Sequence, residues 1–149
     1  MDDIDQQIRR ERMGLVARSG ARAAALFADA GLEAAYEMLR APEIGSVMVQ
    51  GRAGGTGGAF NLGEMTVTRC SLKLDGGAVG HGFVQGRDRD AAQAAALLDA
   101  LMQTDAAPRA EQAVLAPLRA EEQARRKSRA EKAAATKVEF FTMTRGEDD

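Results

Sequence analysis

The stretch 64-EMTVTRCSLKLDGGAVGHGFVQGRDRDAAQAAALLDALMQ-103 has the pattern of a strand, a turn, a second strand and a helix. Alternation in its first part predicts one strand face of Thr66, Thr68, Cys70, Leu72 and Leu74, and an opposite face of Met65, Val67, Arg69, Ser71 and Lys73. Leu74-Asp75-Gly76-Gly77 is typical of a hairpin turn, because Asp and Gly tolerate positive φ. The helix follows with apolar residues at three- and four-residue spacing, and Asp88 or Asp90 is suited to cap it.

Two helices are predicted before this stretch, and further strands lie between them and it. The first helix runs from Asp2 to about Arg18, with acidic residues at its start and arginines near its end. The second begins at Ser19 as N-cap and ends at Gly31. The segments YEMLR (36–40) and SVMVQGR (46–52) have strand composition. We therefore expect an antiparallel sheet of about four to five strands.

The C-terminal third is predicted to contain a polar helix over residues 109–136, with Pro117 as a kink or as the first residue of a new helix. The segment KVEFFTMTRG (137–146) carries Phe140 and Phe141, and is interpreted as a terminal strand or docking segment. The sequence thus predicts one α+β domain over residues 1–149. Its parts are a helical lead (1–31), antiparallel strands (35–86), a helix (88–103), the polar helix (109–136) and a terminal strand with a tail (137–149).

Charge and composition narrow the class of protein. The net charge of -2 and a pI near 5.5 argue against a dedicated nucleic-acid binder. No apolar run approaches the roughly 20 residues that a membrane span requires, and the charged N-terminus is unlike a signal peptide. A single Cys and a single His favour neither a disulfide framework nor a metal site. These features predict a cytoplasmic protein that binds no metal and no membrane.

The glycine-rich segment 52-RAGGTGG-58 raises the question of phosphate binding. It lacks the lysine of a P-loop, its spacing differs from GxGxxG, and a strand pattern follows it. One interpretation is a hairpin loop or interface. The other is a nest of backbone N–H groups that contacts an anionic ligand with help from Arg52, Thr56 and Arg69.

Three further features leave alternatives open. His81, between two glycines, is either structural or an acid, base or substrate contact, and the sequence shows no aligned Ser or Cys partner for it. Arg87 either pairs with a neighbouring Asp or binds a phosphate or carboxylate. The cluster Arg125, Arg126, Lys127 and Arg129 favours a solvated or partner-facing helix over a nucleic-acid site. Cys70 is interpreted as a core residue.

Several segments together resemble the PhnG family, a subunit of the bacterial carbon-phosphorus lyase system. They are YEMLRAPEIGSVMVQGRAGGTGGAFNLGEMTVTRCSLKL, GHGFVQGRDRDAAQAAALLDALMQ, VLAPL and KVEFFTMTRG, in family order across most of residues 36–146. No catalytic residues transfer by position. The motif residues that do transfer are Gly54, Gly55, Thr56, Gly57, Thr68, Arg69, Gln85, Gly86, Arg87, Asp88, Phe140, Phe141, Arg145 and Gly146.

The resemblance implies an accessory subunit that works with PhnH, PhnI and the ATPase-like PhnL. Together they displace adenine from ATP with methylphosphonate, which gives α-D-ribose 1-methylphosphonate 5-triphosphate. The family also belongs to a core assembly with PhnH, PhnI and PhnJ, in which PhnJ carries an iron-sulfur cluster and uses S-adenosylmethionine. One cysteine agrees with this, because such a cluster needs at least three thiolates. We therefore expect this chain to bind no cofactor, with ATP as co-substrate of the complex.

Candidate contacts with substrate or partner follow from these motifs and patterns. They are Arg52, Thr56, Arg69, His81, Gln85, Arg87 and Arg145, and Phe140 and Phe141 are the interface candidates. An alternative hypothesis is a stand-alone protein or small enzyme that binds a phosphate or phosphonate ligand through Arg52, Thr56, Arg69 and Arg87.

Overall fold

The computed structural model describes the backbone of residues 2–146 and the side chains of residues 2–137. The chain divides into two compact units, Met1–Leu118 and Arg119–Asp149. The elements are α1 (Asp2–Arg18), α2 (Gly20–Asp29), β1 (Tyr36–Arg52), β2 (Ala59–Leu74), β3 (Val79–Gln85), α3 (Arg89–Leu101), α4 (Ala107–Ala110) and α5 (Ala116–Gly146). The predicted α+β class with two leading helices is confirmed. Ser19 precedes α2, but its side chain makes no capping hydrogen bond, which differs from the prediction.

The sheet is antiparallel, in the order β1-β2-β3, and the described residues form three strands instead of the expected four to five. The segments YEMLR and SVMVQGR belong to one 17-residue strand, β1. Pro42 and Gly45 suggest a turn between these two segments. However, β1 is an edge strand, where proline, which has no backbone N–H, is accommodated. Register shifts on both sides of Arg40 absorb the irregularity.

The turn between β2 and β3 is the predicted hairpin. The Gly77 N–H donates to the Leu74 carbonyl at 2.8 Å, and Gly77 has a φ of 102°. The pairing that follows from this turn aligns Ser71 with His81 and Arg69 with Phe83. The hairpin thereby fixes which side chains share a face of the sheet.

The core lies between α3 and one face of the sheet. Thr68, Cys70, Leu72 and Leu74 are buried as the alternation predicts, and Val67 on the opposite face is buried as well. Cys70 is therefore a core residue, and burial raises the pKa of its thiol. Asp88 caps α3, because its Oδ1 accepts the Ala91 N–H at 2.9 Å.

Two glycines of β3 allow α3 to lie directly on the sheet. A Cβ at Gly80 would stand 2.0 Å from the Ala96 carbonyl oxygen, and a Cβ at Gly82 would stand 2.1 Å from that of Ala92. No real Cβ contact is so short, so any larger residue would push the helix away. This close approach explains why glycines flank His81.

The C-terminal helix tests the predictions made for Pro117 and for the terminal strand. A π turn over Glu111–Leu115 precedes α5, and Pro117 is the second residue of α5, close to the predicted new helix start. The expected terminal strand is wrong, because α5 continues to Gly146. No Gly or Pro interrupts residues 137–145, and β-branched and aromatic residues lower helix propensity by only about 0.7 kcal/mol each or less. The side chains of Phe140, Phe141 and Arg145 lie outside the described residues.

Candidate functional site

A cleft of about 870 Å³ opens between α1 and the face of the sheet opposite α3. One wall is α1, from Gln6 to Ala17, and the other is made by all three strands. The polar side chains that line it are those of Gln6, Arg9, Arg10, Arg40, Arg69, Ser71 and His81. Arg69 and Ser71 are two residues apart on β2, so their side chains lie on the same face of the sheet. His81 shares this face because it pairs with Ser71.

A buried carboxylate, Asp99 of α3, holds α1 against the sheet. Asp99 is only 3% exposed, and it accepts from Arg9 Nη2 at 2.7 Å and Arg9 Nε at 3.0 Å. It also accepts from Arg12 Nη2 at 3.2 Å and from the backbone N–H of His81 at 2.9 Å. The hydrogen bond with Asp99 raises the pKa of Arg9, so this guanidinium stays charged.

The same group closes the outer edge of β3. No strand pairs with β3 on that side within the described sheet, and its polar backbone groups need other partners. Asp99 accepts the N–H of His81, and Arg9 Nη2 donates to the Val79 carbonyl at 3.3 Å. The floor of the cleft is thereby fixed in position before any ligand arrives.

His81 has a serine partner that the sequence reasoning missed. Its Nδ1 lies 2.9 Å from Ser71 Oγ, across the pairing of β2 with β3. In many enzymes, a serine hydroxyl acts as the nucleophile and a neighbouring histidine acts as its general base. In a catalytic triad a third group orients the imidazole ring, whereas here Asp99 bonds the backbone of His81. The pair is therefore better suited to donate and accept hydrogen bonds than to activate a nucleophile.

A second polar cluster lies where β1 meets β2. Arg69 Nε donates to Glu43 Oε1 at 2.6 Å, and Arg40 Nη1 donates to the same oxygen at 3.2 Å. The hydrogen bond with Arg69 lowers the pKa of Glu43. These three side chains are about half exposed, and Arg10 on the facing helix makes no ion pair within the described residues. The cleft therefore keeps an excess of positive charge.

The structure brings together two of the residues predicted from sequence, Arg69 and His81. Gln85 shares their face of β3 but does not line the cleft, and Arg87 is exposed in the link between β3 and α3, with no ion pair to a described residue. Asp88, its suggested partner, caps α3. Arg145 is outside the described side chains.

Arg52 and Thr56 lie at the far end of the hairpin formed by β1 and β2. Arg52 Nη1 donates to the Gly57 carbonyl at 3.4 Å, and Gly54 and Gly55 have φ of 62° and 78°. Nine residues separate Glu43 from Arg52 along β1, which at about 3.3 Å each amounts to roughly 30 Å. The tip and the cleft are therefore separate places on the molecule, and a ligand in the cleft does not contact the glycine loop.

Other residues of the cleft and of the two ion-pair clusters beside it were not anticipated from sequence, namely Arg9, Arg10, Arg12, Arg40, Glu43, Ser71 and Asp99. The pairing of Ser71 with His81 could have been derived, because a hairpin at Asp75–Gly77 pairs positions that lie equally far from the turn. The contacts of Arg9 and Arg12 with Asp99 join positions 90 and 87 residues apart, and no spacing rule indicates them.

The described residues include neither a metal-ligand cluster nor a membrane-spanning helix. No three His, Cys, Asp or Glu side chains in this part of the chain lie close enough to hold a metal ion. None of the helices within the described ranges combines the length and apolarity needed to cross a membrane.

Comparison with known proteins shows which family this chain resembles. The family model described as "Phosphonate metabolism protein PhnG" matches residues 7–146. The alpha-D-ribose 1-methylphosphonate 5-triphosphate synthase subunit PhnG of Rhizobium meliloti (strain 1021) is 44% identical over 149 residues, which cover 99% of this chain and 95% of that protein. A match of this length and identity makes the chain a member of the PhnG family.

Proposed function

We propose that this chain is a subunit of an α-D-ribose 1-methylphosphonate 5-triphosphate synthase in phosphonate catabolism. The observation that carries the proposal is the 44% identity with a subunit of that name over 99% of the chain. The complex would transfer ribose triphosphate from ATP to methylphosphonate and release adenine. We place the protein in the cytoplasm, where ATP is supplied.

We further propose PhnH, PhnI and PhnL-like proteins as partners in this reaction, and PhnJ as a partner in the core assembly. The iron-sulfur cluster and S-adenosylmethionine would belong to PhnJ. The single, buried Cys70 of this chain supports that assignment, because cluster ligands are thiolates in groups. An accessory role is supported by the bonding of His81, whose ring contacts Ser71 while Asp99 contacts only its backbone.

An apolar arm supports binding to partner subunits. The arm is the two-stranded part of the sheet beyond β3 with its connecting loop, residues 46–66. Three large apolar side chains are exposed on it: Met48 (53%), Phe60 (45%) and Leu62 (63%). Arg52 and Glu64 are its only charged residues. An isolated two-stranded hairpin is marginally stable in water, so a partner surface would stabilise this arm.

Co-expression tests the proposal. The chain carrying an affinity tag is produced with the PhnH-like and PhnI-like proteins of its own genome, and the purified material is analysed for co-purifying subunits and for adenine release from ATP with methylphosphonate. We expect a stable complex whose synthase activity disappears when this chain is omitted. A folded monomer that never co-purifies with these proteins, and whose omission leaves activity intact, would contradict the proposal.

The second candidate function is a stand-alone protein that binds a phosphate or phosphonate ligand. The cationic cleft favours it, because Arg10, Arg40 and Arg69 line one cavity. The two functions differ in their dependence on partners. A stand-alone protein would bind its ligand and act without other subunits, whereas an accessory subunit would show synthase activity only within the complex.

A further inference from the structure

We propose that the cleft between α1 and the open sheet face binds the polyphosphate group of a phosphorylated ligand. We refer to it as the arginine cleft, defined by Arg10, Arg40, Arg69, Ser71 and His81. The assignment of its ligand class rests on the proposed function, in which a ribose triphosphate is handled. The cleft itself has the charge, donor geometry, size and rigidity of an anion site.

The charge of the cleft is positive after its internal ion pairs are counted. Arg9 and Arg12 share the carboxylate of Asp99, and Arg40 and Arg69 share that of Glu43. Each carboxylate therefore faces two guanidinium groups, and Arg10 adds another positive charge without an acidic partner among the described residues. Charges that converge on a concave surface raise the local concentration of anions.

The guanidinium groups retain donors for a second anion. Arg69 uses Nε and Nη2 on Glu43, and Arg40 uses Nη1, all on the single oxygen Oε1. Each guanidinium carries five N–H groups, so most donors of Arg40 remain available. Glu43 acts as a tether that holds both side chains in one orientation, which lowers the entropy lost on binding a phosphate.

Neutral hydrogen-bonding groups complete the lining. Ser71 Oγ and His81 Nδ1 are 2.9 Å apart on the sheet face, and their shared hydrogen bond leaves one donor, the Ser71 hydroxyl or the His81 Nε2–H, for a phosphate oxygen. The Asp99 cluster fixes α1 and His81 relative to each other, so the walls are already positioned in the absence of ligand. A site of this kind recognises oxyanions by charge-assisted hydrogen bonds.

Size selects among anions. A cavity of about 870 Å³ is within the range of sites for small molecules and cofactors, which is about 300–1,000 Å³. Inorganic phosphate or methylphosphonate alone would fill a small part of it and reach only one side of the arginine set. We expect a chain of phosphates to contact Arg10 on α1 and Arg69 on β2 together, because both side chains line the same cavity.

Calorimetric titration of the full chain with inorganic tripolyphosphate and with ATP tests the site. We expect both ligands to bind and methylphosphonate to bind at least tenfold more weakly, with affinity falling as salt is added. Arg10→Gln and Arg69→Gln should each lower tripolyphosphate affinity by about tenfold, since each removes a charge-assisted contact. Arg129→Gln, an exposed arginine of α5, is the matched control and should bind as the parent does.

Three outcomes would overturn the inference: no heat with tripolyphosphate or ATP at millimolar concentration, unchanged affinity in both cleft variants, or methylphosphonate binding as tightly as tripolyphosphate. Arg69 is half exposed, and circular dichroism of its variant checks that the fold persists. Co-purification with the PhnH-like and PhnI-like proteins is measured on the same preparations. A chain that enters the complex but binds no polyphosphate overturns the cleft alone, whereas a chain that binds polyphosphate but enters no complex overturns the proposed function alone.

Discussion

Asp99 is a residue whose substitution is expected to lower stability strongly. Its two oxygens accept from two arginines and one backbone N–H, and it is almost completely buried. In Asp99→Asn the amide presents donors to groups that are themselves donors, and it leaves Arg9 and Arg12 without a counter-charge. We expect the free energy of unfolding to fall by about 3 kcal/mol, measured by urea denaturation at neutral pH.

Asp29→Asn provides the matched control for this substitution. Asp29 is an exposed residue at the end of α2, so the same chemical change there should alter the free energy of unfolding by less than about 0.5 kcal/mol. Equal effects of the two substitutions would show that the cluster around Asp99 does not hold α1 to the sheet.

Glu43 predicts a pH dependence of definite sign. Its pKa in the folded chain lies below the ordinary value of 4.5, because Arg69 and Arg40 stabilise the carboxylate. The folded state therefore binds this proton less tightly than the unfolded state. The stabilisation is present above the ordinary pKa and is lost as pH falls through the lowered one.

Comparison of the parent with Glu43→Gln measures this contribution. The parent should be slightly more stable to urea at about pH 7, and the difference should shrink as pH falls below the ordinary pKa of the carboxyl group. The effect is small because the pair is exposed to solvent. A difference that grows on acidification would contradict the assigned direction of the pKa shift.

At the scale of elements, the packing of α3 on β3 depends on glycine. In Gly82→Ala the new Cβ would meet the backbone of α3 at 2.1 Å from Ala92 O and 2.6 Å from Ala96 N, and neither atom can move alone. We expect the free energy of unfolding to fall by about 3 kcal/mol, because overpacking displaces the whole helix. Gly45→Ala in β1 has no atom within 4 Å of the new Cβ, so its stability should stay close to the parent's. Thermal unfolding of both variants separates the effect of overpacking at Gly82 from the general effect of replacing a strand glycine by alanine.

The apolar arm makes a prediction about assembly. Met48→Glu and Phe60→Glu alter exposed side chains, so each should change the free energy of unfolding by less than about 0.5 kcal/mol. Each should nevertheless abolish co-purification with the PhnH-like and PhnI-like proteins, because a charge would be buried in an apolar interface. Leu39→Glu is the control, an equally exposed apolar residue of β1 outside the arm. Normal co-purification of both arm variants would exclude the arm as the interface.

Elements set by local rules were predictable, and those set by distant contacts were not. The alternation of β2, the turn at Gly77 and the cap at Asp88 depend on neighbours in sequence, and all three agree with the structure. Pro42 is typical of a strand end, yet β1 continues through it. A proline is tolerated there because β1 is an edge strand, and the order of strands cannot be derived from local sequence. The arginine cleft depends on the placement of α1 beside a sheet some sixty residues later, so only Arg69 and His81 of its lining were identified.

At the scale of the whole molecule, the described core belongs to the first of the two compact units. Its buried residues run from Leu15 to Leu118, and the side chains of residues 123–137 are all exposed. Residues 123–137 therefore add no buried side chain to this core. A role for them in assembly is consistent with an accessory subunit.

Truncation before Val138 tests that role. We expect the shortened chain to unfold in urea with the parent's free energy, within about 0.5 kcal/mol, because the described core is formed by residues before Arg119. Co-purification with the PhnH-like and PhnI-like proteins should be lost, since Phe140 and Phe141 are removed. A chain that stops at Gly146 is the control and should still assemble, because it keeps both. If the shorter chain assembles normally, α5 beyond residue 137 has no part in the complex, and the apolar arm is left as the main candidate for the contact.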